Sequence, residues 1–245
     1  MFKFALFLIR VQWIDRLATS SFLIGITIQT ALLALALYQT AQTPAEALVL
    51  AARAALMTCT AIVLLSAMSS VQNEFRYGTI EKVVLGAVPI STLLLIRSAA
   101  SAVVSSPAIV VPFLAAYARF PGLVGPRSLL VILMAYVSLM AVCYQSTLVL
   151  CQFKAPIGVV AWLRLGLLFI GLSVLPFAGS ELVSLVLPTG WILRFVAATG
   201  PQAAAVAFAG FLAVTAAWTG LLWKALSGRM MSRIEESLTD GAETR

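Results

Sequence analysis

Long apolar runs separated by short polar breaks dominate the chain. Six such runs occupy residues 17–38, 47–69, 92–116, 128–151, 156–176 and 201–225. A helix needs about 20 apolar residues to cross a hydrocarbon core of about 30 Å. The runs are apolar on all sides, whereas helices of a soluble bundle carry a polar stripe. The pattern therefore predicts an all-α integral membrane protein, a single transmembrane domain over residues 1–245 with about six transmembrane helices.

Four segments outside these runs have distinct patterns. Residues 1–16 mix large apolar side chains with scattered charges, which predicts an N-terminal interfacial helix on the membrane surface. Residues 70–91 form a polar cytoplasmic segment, and residues 226–245 a charged cytoplasmic tail. Residues 177–200 hold two apolar pieces too short to cross, separated by Pro188-Thr189-Gly190. We interpret this last segment as an outer re-entrant hairpin before the last span.

Local polar and proline residues give further expectations. Pro107 and Pro112 predict kinks in the third span, because proline removes a backbone donor. Glu181 and Arg194 flank the break in residues 177–200, and we expect an ion pair between them of small energetic weight.

Composition supports lipid as the solvent. The 245 residues are 62% hydrophobic and 10% charged, with a mean hydropathy of +1.04, whereas soluble domains are about 25% charged. The net charge is +7, but the basic residues are scattered along helix flanks, which argues against nucleic acid as a partner. With both termini cytoplasmic, eleven basic residues fall inside and four outside. This bias fits the positive-inside rule and predicts that both termini are cytoplasmic.

The chain has few residues of the types that form metal sites, disulfides or catalytic sites. The chain has no histidine, and its three cysteines fall inside apolar runs, so neither a zinc site nor a disulfide framework is expected. No GxxxxGK[ST] loop is present to bind ATP. A membrane enzyme would need convergent acids, bases or metal ligands at one face. We therefore expect no cofactor in this chain and no enzymatic activity of the chain by itself.

Four polar side chains inside the spans are candidates for a substrate path: Gln29, Arg53, Gln145 and Arg164. Each has a structural alternative. Arg164 could extend its side chain to the headgroups, and Arg53 could pair with Glu46. The two glutamines are more often hydrogen-bonded between helices.

The polar segment between the second and third runs predicts a short helix after a turn. Gly78 permits a sharp turn, Thr79 can cap the first helical turn, and Glu81 sits where the helix dipole favours an anion. One side of this helix would be apolar, through Ile80, Val83, Val84 and Leu85. Those residues could lie flat on lipid headgroups, pack beneath the bundle or be covered by a partner.

The same segment resembles a family signature. The run Glu74-x-Arg76-x-Gly78-Thr79-Ile80-Glu81, followed by Pro89-Ile90-Ser91, is similar to the motif of type-2 ABC transporter permeases, the six-span membrane subunits of bacterial ABC exporters. The N-terminal helix also resembles that family's interfacial elbow, and residues 187–191 resemble its break before the last span. Arg97 and Gly86 depart from the usual pattern.

The resemblance implies a cytoplasmic coupling helix that docks on ABC ATPase subunits. Its ATPase-coupling residues would be Glu74, Arg76, Gly78, Thr79, Ile80, Glu81, Lys82, Val83 and Val84. It further implies a second permease copy or a similar companion, with ATP and Mg bound by the ATPase partner. The implied activity is export of a hydrophobic or amphipathic small molecule or peptide by alternating access. The implied location is the bacterial cytoplasmic (inner) membrane. The alternative is a non-transporting structural or regulatory subunit of an ATPase complex.

Overall fold

The described part of the chain is helical. A computed structural model describes residue 10 and residues 20–58, 90–150 and 180–243, and these ranges contain helices and short turns but no strand. The elements are α1 (Ser20–Thr40), α2 (residues 44–58), α3 (Ile90–Val104), α4 (Ser106–Arg119), a short 3-10 helix (Pro121–Leu123), α5 (Pro126–Leu150), α6 (Ser180–Val186), α7 (Pro188–Ala197) and α8 (Pro201–Glu243).

Three helical stretches within these ranges are long and apolar enough to cross a membrane. They are Leu94–Arg119, Pro126–Val149 and Pro201–Gly228. They coincide with the third, fourth and sixth apolar runs of the sequence, so the all-helical prediction is confirmed for the described residues. A shorter apolar helix, Ala31–Thr40, lies in the first run. The fifth run lies outside the described residues, and the count of six spans stays a prediction.

The third span is divided by a local break. Helix α3 ends at Val104 and α4 begins at Ser106, with Pro107 in the first turn of α4. Pro107 cannot donate to the carbonyl of Val103, its partner in a continuous helix. The Ser106 hydroxyl donates to that carbonyl instead, at 2.5 Å. Helix α4 continues through Pro112.

The core is built where α5 meets its neighbours. Helix α5 packs against α3, α7 and α8, while α1 packs against α4 and α7 against α8. The largest fully buried side chains are Phe113, Phe211, Ile109, Met134, Leu148, Ile192 and Val131. Helix α2 contributes small residues with zero exposure at four-residue spacing, Ala47, Ala51 and Ala55. Such spacing allows close helix approach.

Three turns meet at one end of the bundle, which we call the turn end: residues 41–43, 120–125 and 198–200. The guanidinium of Arg119, at the end of α4, lies 5.3 Å from the ring centre of Tyr38 in α1. Arg127, at the start of α5, contacts the end of α7. The topology predicted from charge likewise groups these three turns on one side.

Helix α8 extends beyond the last apolar run. That run ends at residue 225, yet α8 continues to Glu243. Most of the segment predicted as a cytoplasmic tail, residues 226–245, is therefore an extension of the last helix.

Candidate functional site

A hydrogen-bonded cap begins α2 at the turn end. The backbone N–H of Glu46 donates to the Thr43 hydroxyl at 3.3 Å. The Glu46 carboxylate accepts in return from the backbone N–H groups of Gln42 and Thr43, at 3.1 and 3.2 Å. With Pro44 as the first helical residue, this is a capping box with proline at the favoured position. Glu46 thus holds the start of α2 in place.

The ion pair with Glu46, which the sequence offered as the structural alternative for Arg53, is not formed. The Glu46 carboxylate binds backbone N–H groups instead. Arg53 lies nine residues after Pro44, about 13 Å along α2, and is half-buried. Its Nε is buried and has no hydrogen-bond partner among the described residues. The cap geometry separates the two charges, because the carboxylate turns back toward the N-terminus of the helix.

An open cleft of about 760 Å³ lies at the turn end, between α2, the start of α5 and the end of α7. We call it the turn-end cleft. Its polar lining comes from Thr40, Gln42, Glu46, Arg53, Arg127 and Thr199. Val49 and Leu50 of α2 and the stretch 196–198 at the end of α7 supply much of the rest. The site therefore combines charged groups with an apolar wall.

Arg127 forms one side of this cleft and closes the end of α7. Its Nη2 donates to the carbonyl oxygens of Phe195 at 3.0 Å and Val196 at 2.9 Å, and also to that of Ala198. The last carbonyls of a helix lack intrahelical donors, and the helix dipole favours a cation there. Arg127 therefore satisfies the exposed end of α7 from a neighbouring helix.

Two tryptophans donate hydrogen bonds to the last carbonyls of the short helix α6. Trp191 Nε1 donates to the Leu185 carbonyl at 2.9 Å, and Trp218 Nε1 donates to the Val186 carbonyl at 2.8 Å. Pro188 interrupts the helix directly afterwards and removes a backbone donor. The indole groups thus attach the end of α6 to α7 and α8.

The predicted ion pair in this segment is also absent. Glu181 and Arg194, both within the described residues, do not pair. Arg194 instead lies over the ring of Trp191, with its guanidinium carbon 5.3 Å from the ring centre. Both residues lie on exposed surfaces of short helices, where an ion pair would gain little. Whether residues 177–200 form a re-entrant hairpin in a bilayer stays a prediction.

Of the four candidate substrate-path residues, Arg53 and Gln145 lie in different parts of the described structure. Arg53 lines the turn-end cleft, whereas Gln145 lies about 28 Å along α5 from Pro126 and does not line it. Gln145 Nε2 donates to the Thr219 hydroxyl at 3.1 Å and so links α5 to α8, as its structural alternative predicted. Gln29 lies in α1. Arg164 lies outside the described residues.

All nine ATPase-coupling residues, Glu74 to Val84, lie outside the described residues, as do residues 1–9 and 11–16 of the interfacial helix. Their roles stay predictions. In the Pro89-Ile90-Ser91 motif expected to open the third span, Ile90 and Ser91 are helical and Pro89 lies outside the described residues. In the part of the chain that is described, no group of three or more potential metal ligands comes together.

Known proteins add no assignment: no family model matches the chain, and no curated protein matches it significantly.

Of two features of the site, one could have been predicted from the sequence and the other could not. The pattern Thr43-Pro44-Ala45-Glu46 carries the capping-box signature and could have been recognised. The role of Arg127 could not, because its partners are 68 to 71 residues away in the chain.

Proposed function

We propose that the chain is the membrane-spanning permease subunit of an ATP-driven ABC exporter. The observation that carries this proposal is the run from Glu74 to Glu81, followed by Pro89-Ile90-Ser91, between two apolar runs. Ile90 and Ser91 are helical, which is compatible with that motif as the entrance to the third span. The long apolar helices are compatible with a permease but do not distinguish it from other membrane proteins.

In the proposed mechanism the chain converts motion rather than performing chemistry. ATP and Mg bind to two cytoplasmic ATPase subunits, and their closure carries each coupling helix with it. Two permease subunits then alternate between inward and outward openings and move a hydrophobic or amphipathic cargo outward. A binding free energy difference between the two states must drive each transition.

The proposal includes an orientation. Both termini and residues 70–91 face the cytoplasm, and the turn end faces outward. Arg53, Arg119, Arg127 and Arg194 then lie on the outer side, and eleven other basic residues lie inside. The turn-end cleft would open toward the outer leaflet.

Copurification with a candidate ABC ATPase tests the coupling role. We expect wild-type protein to retain the ATPase and to stimulate its activity in lipid. The double variant Gly78→Pro with Glu81→Arg should lose both, because proline removes the turn and the charge reversal opposes the helix dipole. Glu181→Arg, the same charge reversal on an exposed helix, is the matched control and should retain both. An intact complex with the double variant would refute the proposed docking segment.

A second readout separates transport from the alternative of a structural or regulatory subunit. The wild-type complex is placed in proteoliposomes with a hydrophobic dye. ATP-dependent movement of dye supports export. ATP hydrolysis without movement of any amphipathic probe tested favours the regulatory subunit.

A further inference from the structure

The turn-end cleft has an excess of positive charge. Arg53 and Arg127 line it, against the single carboxylate of Glu46. That carboxylate is already bound to two backbone N–H groups through its Oε2. Glu46 therefore contributes to the start of α2 and does not pair with either arginine in the described structure.

Arg53 has no hydrogen-bond partner within the described part of the chain. Its Nε is buried, and the adjacent Ala52 and Ala54 are buried in the core. A guanidinium carries five N–H donors and cannot lose its charge, so a buried donor needs an acceptor. Ionisable groups within apolar spans are typically paired or functional. An oxyanion is the acceptor that fits a guanidinium fork best.

Arg127 has donors to spare on the other side of the cleft. Among the described residues its hydrogen bonds to the end of α7 all come from Nη2. Nη1 and Nε are therefore left for another acceptor. The cleft volume, about 760 Å³, falls within the range of small-ligand sites, about 300–1,000 Å³.

The wall beside these cations is apolar. Val49 and Leu50 project from α2, and Val196 from α7. A ligand that satisfied both surfaces would have an anionic head and an apolar body. We propose that the turn-end cleft binds the oxyanion head, carboxylate or phosphate, of an amphipathic molecule, with Arg53 as its principal contact.

This inference is independent of ATPase coupling, since binding at the cleft needs no partner subunit. Equilibrium binding of radiolabelled laurate to the full chain in phosphatidylcholine nanodiscs tests it, with empty discs subtracted and dodecanol as the uncharged probe. We expect saturable binding of laurate but not of dodecanol. Arg53→Gln should weaken laurate binding at least tenfold, whereas Arg194→Gln, an arginine that does not line the cleft, should leave it unchanged.

Competition measurements identify the kind of anion that is bound, and a second variant controls for a folding defect in Arg53→Gln. Competition by inorganic phosphate alone would indicate recognition of a free anion, and competition only by phosphatidylglycerol would indicate a lipid headgroup. Val49→Trp, which fills the cleft without changing charge, should also abolish binding. Undiminished laurate binding in Arg53→Gln or Val49→Trp would overturn the proposal, as would the absence of saturable binding in the wild type. Because no ATPase is present, a negative result here leaves the coupling proposal untouched.

Discussion

Single side chains in this protein repeatedly satisfy backbone carbonyls that helix geometry leaves without donors. Arg127, Trp191, Trp218 and Ser106 each donate to such a carbonyl at a helix end or proline break. A carbonyl left unpaired away from water costs free energy comparable to a lost hydrogen bond. These side chains therefore permit short, broken helices within an otherwise apolar bundle.

The backbone of Gly210 lies against the ring of Trp191 and leaves no room there for a side chain. A Cβ added at Gly210 would lie 2.4 Å from the ring of Trp191, which is held by its hydrogen bond to Leu185. Gly210→Ala should therefore lower the free energy of unfolding by about 1–3 kcal/mol, through overpacking between α7 and α8. Unfolding by SDS titration in mixed micelles measures the change.

Gly220 in the same helix is the matched control. A Cβ there would have no neighbour within 4 Å. Gly220→Ala should leave stability unchanged or raise it by up to about 1 kcal/mol, because alanine has the higher helix propensity. Equal effects of the two substitutions would contradict the close contact of Gly210 with Trp191.

The sequence indicated which side chains can form hydrogen bonds or ion pairs, but not which partners they bind. Gln145 was expected either in a substrate path or in an interhelical hydrogen bond, and only coordinates could identify Thr219 as its acceptor. The charges of Glu46 and Arg53 suggested an ion pair. The capping box prevailed because two nearby backbone donors bind the carboxylate without ordering a long arginine side chain.

At the scale of elements, α7 depends on a residue from α5. Arg127→Gln should leave its last carbonyls without a donor and speed amide hydrogen exchange in residues 188–200, because the Nη2 donor and the charge are both lost. We expect a stability loss of about 1–3 kcal/mol. Arg127→Lys should lie between wild type and Arg127→Gln, since it keeps the charge and N–H donors but loses the planar guanidinium geometry.

Arg119→Gln is the comparison for this experiment, because Arg119 also lies at the turn end but contacts Tyr38 and Phe120. It should leave exchange in residues 188–200 unchanged. Unaltered exchange in Arg127→Gln would show that α7 does not need this cap.

Element positions were predictable where apolar length and breakers coincide. The run 201–225 begins with the same proline as α8, and the run 128–151 starts two residues after the first residue of α5. The end of α8 was not predictable from hydropathy, because a helix can continue past the apolar run into a charged segment. Which helix ends meet depends on packing rather than on any local pattern.

For the whole molecule, the shared location of three turns makes the predicted orientation testable. On a background with Cys59, Cys143 and Cys151 replaced by alanine, Gly122→Cys and Gly200→Cys should react with a membrane-impermeant maleimide in intact cells. Both glycines have open space for a side chain. Thr244→Cys should react only after permeabilisation, since the positive-inside bias places the C-terminus in the cytoplasm.

The pattern of labelling separates two errors. Labelling of Thr244→Cys alone in intact cells would reverse the orientation but keep the turns of Gly122 and Gly200 on one side. Labelling of Gly122→Cys without Gly200→Cys would place the two turns on opposite sides of the membrane and contradict their common end.

Because the two indoles bind the main chain of α6, the sequence of α6 can change without loss of this attachment. Both acceptors are main-chain carbonyls, of Leu185 and Val186, which every amino acid supplies. Positions 185 and 186 can therefore exchange one apolar residue for another without losing the attachment. Trp191 and Trp218 have no such freedom, because no aliphatic residue provides a donor at that reach. Substitutions tolerated over time should thus accumulate on the helix being held and spare the residues that hold it.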